Sequence, residues 1–229
     1  TYIPAQKLSR KTFVLAASII PIFILNYSIP TGIADYYLNI AKKQFAIREI
    51  ENGVLTLSLA AKWNPTSIRI KYQQFLFYSI ALSSINKTAS LSERESLYIN
   101  ALSVLNDIED INPLSGIVHQ SRGSLLIENT DIIPEGRENS PAYEFKKALR
   151  LNPRLFKARL ALSKLLLKQG NLNEAVLLMN EGVSIQYPSL RYDGLDEFYK
   201  YAIDLNLMNG DTAKAKNIQL ELSLIHISE

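Results

Sequence analysis

Two lysines seven residues apart, Lys157 and Lys164, form the charged pair in this chain that most suggests a ligand. On a helix they share a face, where they suit an acidic or carboxylate-bearing partner, the alternative being a solvated face. Little else offers chemistry. Cysteine is absent, which removes thiol nucleophiles, disulfides and Cys-ligated zinc without assigning a redox compartment. The two histidines, His119 and His226, are far apart and have no Asp or Glu at metal-ligand spacing. There is no G-x-S-x-G, no glycine-rich phosphate loop and no H-E-x-x-H. Acid pairs such as Glu109-Asp110 are sequence neighbours that point different ways on a helix, so a glycosidase-like pair is not indicated. The 12 tyrosines are expected to pack in a core with the hydroxyl at the rim, stacking on sugars or peptides being the alternative. A net charge of +3, mixed along 229 residues, gives no arm for nucleic acid. No metal, cofactor or catalytic residue is expected.

The elements that must position these side chains are helices in a repeat. Asn-Pro recurs at Asn64-Pro65, Asn112-Pro113 and Asn152-Pro153, followed by Tyr187-Pro188, at intervals of 48, 40 and 35 residues. Each closes an apolar helical stretch, such as Ala60-Ala-Lys-Trp63 or Ala148-Leu-Arg-Leu151, where a proline cannot continue the hydrogen-bond ladder. The spacing predicts helix pairs at 33–47/50–63, 68–83/92–110, 115–128/141–151, 156–169/172–186 and 192–208/211–221. One such pair cannot bury its apolar face, but stacked pairs share a continuous core.

The segment Leu162 to Gly182 resembles one tetratricopeptide repeat (TPR). Gly170-Asn171 makes the turn, Glu174-Ala175 opens the second helix, and Ala175 and Gly182 are the small residues at which paired helices approach. Tyr37, Ala41, Gly53, Leu57, Ala60 and Pro65 mark a first unit; Gly123, Phe145, Ala148 and Pro153 mark a third, with an insertion near 130–139 and a late second helix at Pro141. The unit over 68–113 fits worst, and Tyr199, Ala202, Gly210-Asp211 and Ala215 mark a fifth. The resemblance implies an all-α TPR-like solenoid whose first helices line a concave face that takes a protein or peptide. It places Arg69, Tyr72, Gln73, Gln120, Lys157 and Lys164 on that face. His119 is expected in the core, Trp63 is expected to pack between repeats at a helix end, and Lys146, Lys147, Lys214 and Lys216 are expected on plain surface.

The ends carry further expectations. Residues 1–11 form a basic stub (Lys7, Arg10, Lys11), and 12–30 are uncharged and apolar all round. At about 1.5 Å per residue the dense part, Phe13 to Ile29, covers roughly 25 Å, enough for a short membrane helix. The basic flank then leaves the stub in the cytoplasm and residues 31–221 outside an inner membrane. A cleaved signal peptide ending near Gly32-Ile-Ala34, or a core helix, are the alternatives. Residues 222–229 resemble a translated sequencing adapter and are set aside. Finally, the order of one membrane helix and then repeats, with Ala60-Ala-Lys-Trp-Asn-Pro-Thr-Ser-Ile-Arg69 and the run from Ile111 to Ser124, resembles the C-terminal region of bacterial O-antigen ligase/polymerase-type membrane proteins. That resemblance implies an accessory domain engaging a partner or a growing glycan; a self-standing envelope scaffold is the alternative.

Overall fold

A computed structural model describes residues 24–85, 90–132, 140–185 and 194–227, with backbone alone for 24 and 224–227. Among these there are ten α-helices and no strand. After a π-helical turn, Ile24–Ser28, come α1 (Ile29–Ala46), α2 (Ile50–Trp63), α3 (Ile68–Ser84), α4 (Leu91–Ile111) and α5 (Gly116–Glu128). They are followed by α6 (Pro141–Leu151), α7 (Phe156–Lys168), α8 (Leu172–Val183), α9 (Leu195–Met208) and α10 (Thr212–Ile227). The chain forms two compact units, 1–84 and 85–229. In the first, α1 pairs with α2, and α3 packs on α2. In the second, α5 pairs with α6, α7 with α8 and α9 with α10, while α4 packs on α5.

The Asn-Pro recurrence has one geometry at all three described sites. Asn64, Asn112 and Asn152 are extended, at φ −141°, −140° and −146°, as expected for a residue that precedes proline. Each donates its N–H to the carbonyl four residues back and accepts at its own carbonyl from the residue three ahead. Those acceptor bonds, from Ser67, Ser115 and Leu155, are 3.2, 3.1 and 3.2 Å long and close a β-turn with proline at its second position. Three residues past each proline the next helix begins. The same turn therefore sends the chain from one hairpin into the next. Tyr187-Pro188 lies outside the described residues.

The turn inside two of the hairpins uses glycine, whereas the α1/α2 turn has Arg48 at φ +64°. Gly170 and Gly210 have φ of +81° and +80°. At the first, Asn171 donates to Leu166 (2.9 Å) and Gly170 to Leu167 (3.0 Å); Asp211 and Gly210 repeat the pattern on Asn206 and Leu207. These are Schellman closures, which satisfy the last carbonyls of the first helix. At Pro141 the second helix does begin late, with proline in its first turn and Ser140 accepting from the Tyr143 N–H at 3.2 Å. Ile108, in the worst-fitting unit, is buried on the long helix α4.

One expectation is corrected. No described helix is long and apolar enough to cross a membrane, and the inner-membrane location is corrected on that finding; of the span expected over 12–30, only 24–30 are described. Residues 12–23 lie outside the described residues. The described end of the stretch runs into α1, which carries Asp35, Lys42 and Lys43 and buries Ala34, Leu38 and Ala41 on one face. A helix striped in this way packs on a neighbour and meets water on its other side, whereas a spanning helix needs about 20 apolar residues. Trp63, expected to pack between repeats, is 45 % exposed at the end of α2. At the far end, α10 continues through residues 222–227, and Leu222 joins the core of the second unit.

Gly170→Ala should cost about 1–2 kcal/mol, because a Cβ is strained at that positive φ. Gly32→Ala, an exposed helical site with nothing within 4 Å, should instead stabilise by roughly 0.5–1 kcal/mol. Urea midpoints at unchanged slope would reveal these opposite signs.

Candidate functional site

The first helices of the second unit, α5, α7 and α9, border a groove of about 390 Å³. Its floor is apolar, from Ile127 of α5 and Ala161, Leu165 and Leu167 of α7. Lys164 and Lys168 of α7, Glu128 of α5 and Tyr201 of α9 stand at its edge. The spacing explains this placement: residues 157, 161, 164, 165 and 168 fall on one stripe of α7, so an alanine and a leucine are flanked by lysines.

Lys164 is the best-defined polar group there. Its Nζ lies 2.7 Å from Glu197 Oε1, in the first turn of α9, and 5.6 Å from the centre of the Tyr201 ring. Both members of the ion pair are substantially exposed, 45 % and 62 %, so the bond is cheap to exchange for a ligand carboxylate. Burial pushes the Tyr201 phenol above its usual range, partly offset by a hydrogen bond with Ser163. The Ser163 hydroxyl in turn donates to the Ala175 carbonyl at 3.2 Å.

Of the six residues expected to face a partner, Lys164 borders this groove. Lys157 is exposed two turns earlier on the same helix, and Gln120 is half-buried on α5, one turn before the groove residue Ser124. Arg69, Tyr72 and Gln73 all lie on α3, in the other unit. Arg69 pairs with Asp35 of α1, and the Tyr72 ring is 5.8 Å from that of Phe75. Lys168 and Tyr201, which also border the groove, were not among the residues expected on this face. Lys168 continues the 157–161–164 stripe and was legible; Tyr201 depends on how α9 packs on α7.

A second polar cluster is buried. His119 of α5 is fully enclosed, with Nδ1 2.7 Å from Glu144 Oε2 on α6 and Nε2 3.5 Å from Glu109 Oε1 on α4. Arg122 donates to Glu109 (2.7 Å) and Asn106 (3.0 Å), and Lys147 to Glu109 (3.1 Å). His119 thus is in the core, as its repeat position implied, but with a carboxylate as its close polar partner. Lys147, expected on plain surface, is a partner of this cluster. A His–carboxylate pair can act as a general base only beside a substrate proton; here the imidazole and Glu144 are fully enclosed and tie three helices together. Among the described residues no group of His, Asp and Glu is arranged to hold a metal.

No protein-family model and no curated protein matches the chain. Among solved structures it is similar to the MamA RS-1 ArsTM double mutant, with a TM-score of 0.54 and 13 % identity over 85 % of this chain and 95 % of that one. It is also similar to MamA 41-end from Desulfovibrio magneticus RS-1 (TM-score 0.53, 13 % identity, 86 % and 96 % covered). A third likeness is to TTC0263, a thermophilic TPR protein in Thermus thermophilus (TM-score 0.50, 19 % identity, 80 % of each chain). At such identities the likeness is one of fold: the chain has a TPR-like helical fold.

Burial pushes the Glu109 carboxyl up, but the hydrogen bonds from Arg122 and Lys147 outweigh it and hold the group below its usual range. A depressed carboxyl contributes stability at and above the ordinary value of about 4.3 and loses it as pH falls through the lower, folded value. Glu109→Gln should therefore lower the melting temperature at pH 7, and the gap to the parent chain should close as the pH is taken below about 4. Melting curves from pH 7 to pH 3 check this; a gap independent of pH counts against it.

Proposed function

We propose that this chain is a binding array, not an enzyme, and that its second unit takes an extended peptide of acidic and apolar residues along α5, α7 and α9. One observation carries the reading: the lysines of α7 stand beside an apolar groove large enough for several side chains. A peptide needs little more than this. Apolar side chains enter the groove and leave water, while carboxylates take the lysines from exposed partners such as Glu197. Lys157 and Gln120 extend the same path by a turn or two. In this proposal Arg69, Tyr72 and Gln73 form a separate polar contact on α3 of the first unit.

The resemblance to O-antigen ligase-type proteins rests on Ala60–Arg69 and the run from Ile111 to Ser124. In this chain those residues make the Asn-Pro turns and adjoining helix ends, a local task that any such array requires. The proposal is accordingly made for protein binding and not for glycan transfer.

A displayed peptide library selected on the full chain tests it. Selected sequences should be enriched in Asp and Glu next to Leu, Ile or Phe. Affinity, read by fluorescence anisotropy, should fall at least about tenfold in Lys164→Glu/Lys168→Glu and weaken with added salt. Selection without acidic enrichment, or binding untouched by the double variant, would overturn the reading.

A further inference from the structure

A second depression lies on the other side of α7, among the second helices. It occupies about 540 Å³ between α6, α7 and α8. Leu149, Leu162, Leu166 and Leu178 give it an apolar lining. The α6 wall carries Lys146 and Arg150; the α8 wall carries Glu174, Leu177 and Glu181. Leu177, a large apolar side chain, is 62 % exposed at this edge. Across the mouth, Lys146 Nζ and Glu174 Oε1 are 3.7 Å apart, both more than half exposed, a contact too loose to close the depression.

We infer that this outer face joins two copies of the chain, α8 of each copy lying against the depression of the other. The occupant is set by the walls. Lys146 and Arg150, one turn apart on α6, suit a helix that carries acids, and the leucines suit an apolar side chain beside those acids. Glu174, Leu177 and Glu181 are spaced i, i+3, i+7 and point outward together, so α8 presents that pattern. The acceptor and the insert therefore sit side by side on one molecule. A two-fold axis satisfies both at once: acids of each copy meet Lys146 and Arg150 of the other, and both Leu177 side chains leave water. Arg159, which also borders the depression, needs no acid from the second copy. Its guanidinium donates to the Leu178 carbonyl (2.8 Å), the Pro153 carbonyl (3.2 Å) and Glu181 (3.3 Å). The peptide groove is not involved, because it is lined by different residues on the first helices.

Sedimentation equilibrium of the full chain over a concentration series tests the inference. The parent chain should pass from monomer to dimer, and Leu177→Glu should raise the dissociation constant at least about tenfold with an unchanged circular-dichroism melt. Lys146→Glu/Arg150→Glu and Glu174→Lys/Glu181→Lys should each be monomeric alone, since each makes both walls alike in sign. Mixed in equal amounts they should associate, because each copy then supplies the charge that the other lacks. A parent chain that stays monomeric at millimolar concentration, leaving the face to some other helix, would overturn it. So would two reversed variants that fold yet remain monomeric when mixed.

Discussion

The arrangement depends on how closely two helices can approach where one of them has almost no side chain. A Cβ on Gly123 would meet the Phe145 ring at 2.8 Å, and one on Gly182 would meet Phe198 at 2.7 Å and collide with Arg159. In the first unit, Gly53 lies against the Phe45 ring in the same way. Ala41, Ala60, Ala148, Ala175 and Ala202 are fully buried at comparable places. Close packing at interior density tolerates neither a void nor an extra methyl there without movement of the backbone. The grooves are consequences of that approach. Drawing paired helices together at small residues leaves the long side chains of α7 to define a surface on either side of it.

Features that one turn of chain determines were legible in the sequence. Asn-Pro signals a helix end because proline removes a donor and forces the preceding residue into an extended conformation, and the three described turns share one set of hydrogen bonds. Gly170 and Gly210 were readable for a similar reason. Charge partnership was not. Glu109 meets Lys147, 38 residues on, and Lys164 meets Glu197, 33 residues on, so no local pattern distinguishes these lysines from a solvated face. Of the uncharged run over 12–30 only 24–30 are described: Ile24–Ser28 form a π-helical turn that leads into α1, whose buried residues Ala34, Leu38 and Ala41 come after the run.

His119 and Arg159 expose a further layer that only packing discloses. Each lies six residues after the proline of an Asn-Pro turn, on the first helix of its hairpin, and each is buried. Each also reaches an acid on the second helix, Glu144 or Glu181. Asn206 of α9 and Asn180 of α8 do likewise with reciprocal amide bonds of 3.1 and 2.8 Å. An apolar residue at these places would bury area without choosing a partner, whereas a hydrogen-bonded polar pair forms in one register. Desolvation makes such pairs poor sources of net stability, and losing one member is costly because the other stays buried and uncompensated. In stacked hairpins of similar shape, mispairing is the alternative that must be penalised. His119, Arg159 and Asn206, each with different chemistry, provide that penalty.

The two sides of α7 consequently differ in kind. Toward the first helices it offers lysines paired loosely with exposed acids, a surface whose charges can be redirected at small cost. Toward the second helices, Arg159 is committed to two carbonyls and a carboxylate, and what remains open there is the leucine lining with one cationic and one anionic wall. The exposed edges, Lys164 on one side and Leu177 on the other, lie apart from core residues such as Leu162 and Leu166, which line the outer depression from within. On the proposed readings, substitution at Lys164 or Leu177 changes what is bound while Ala148, Ala175 and Gly182 continue to set the spacing. Substitution at those small residues would change both surfaces at once.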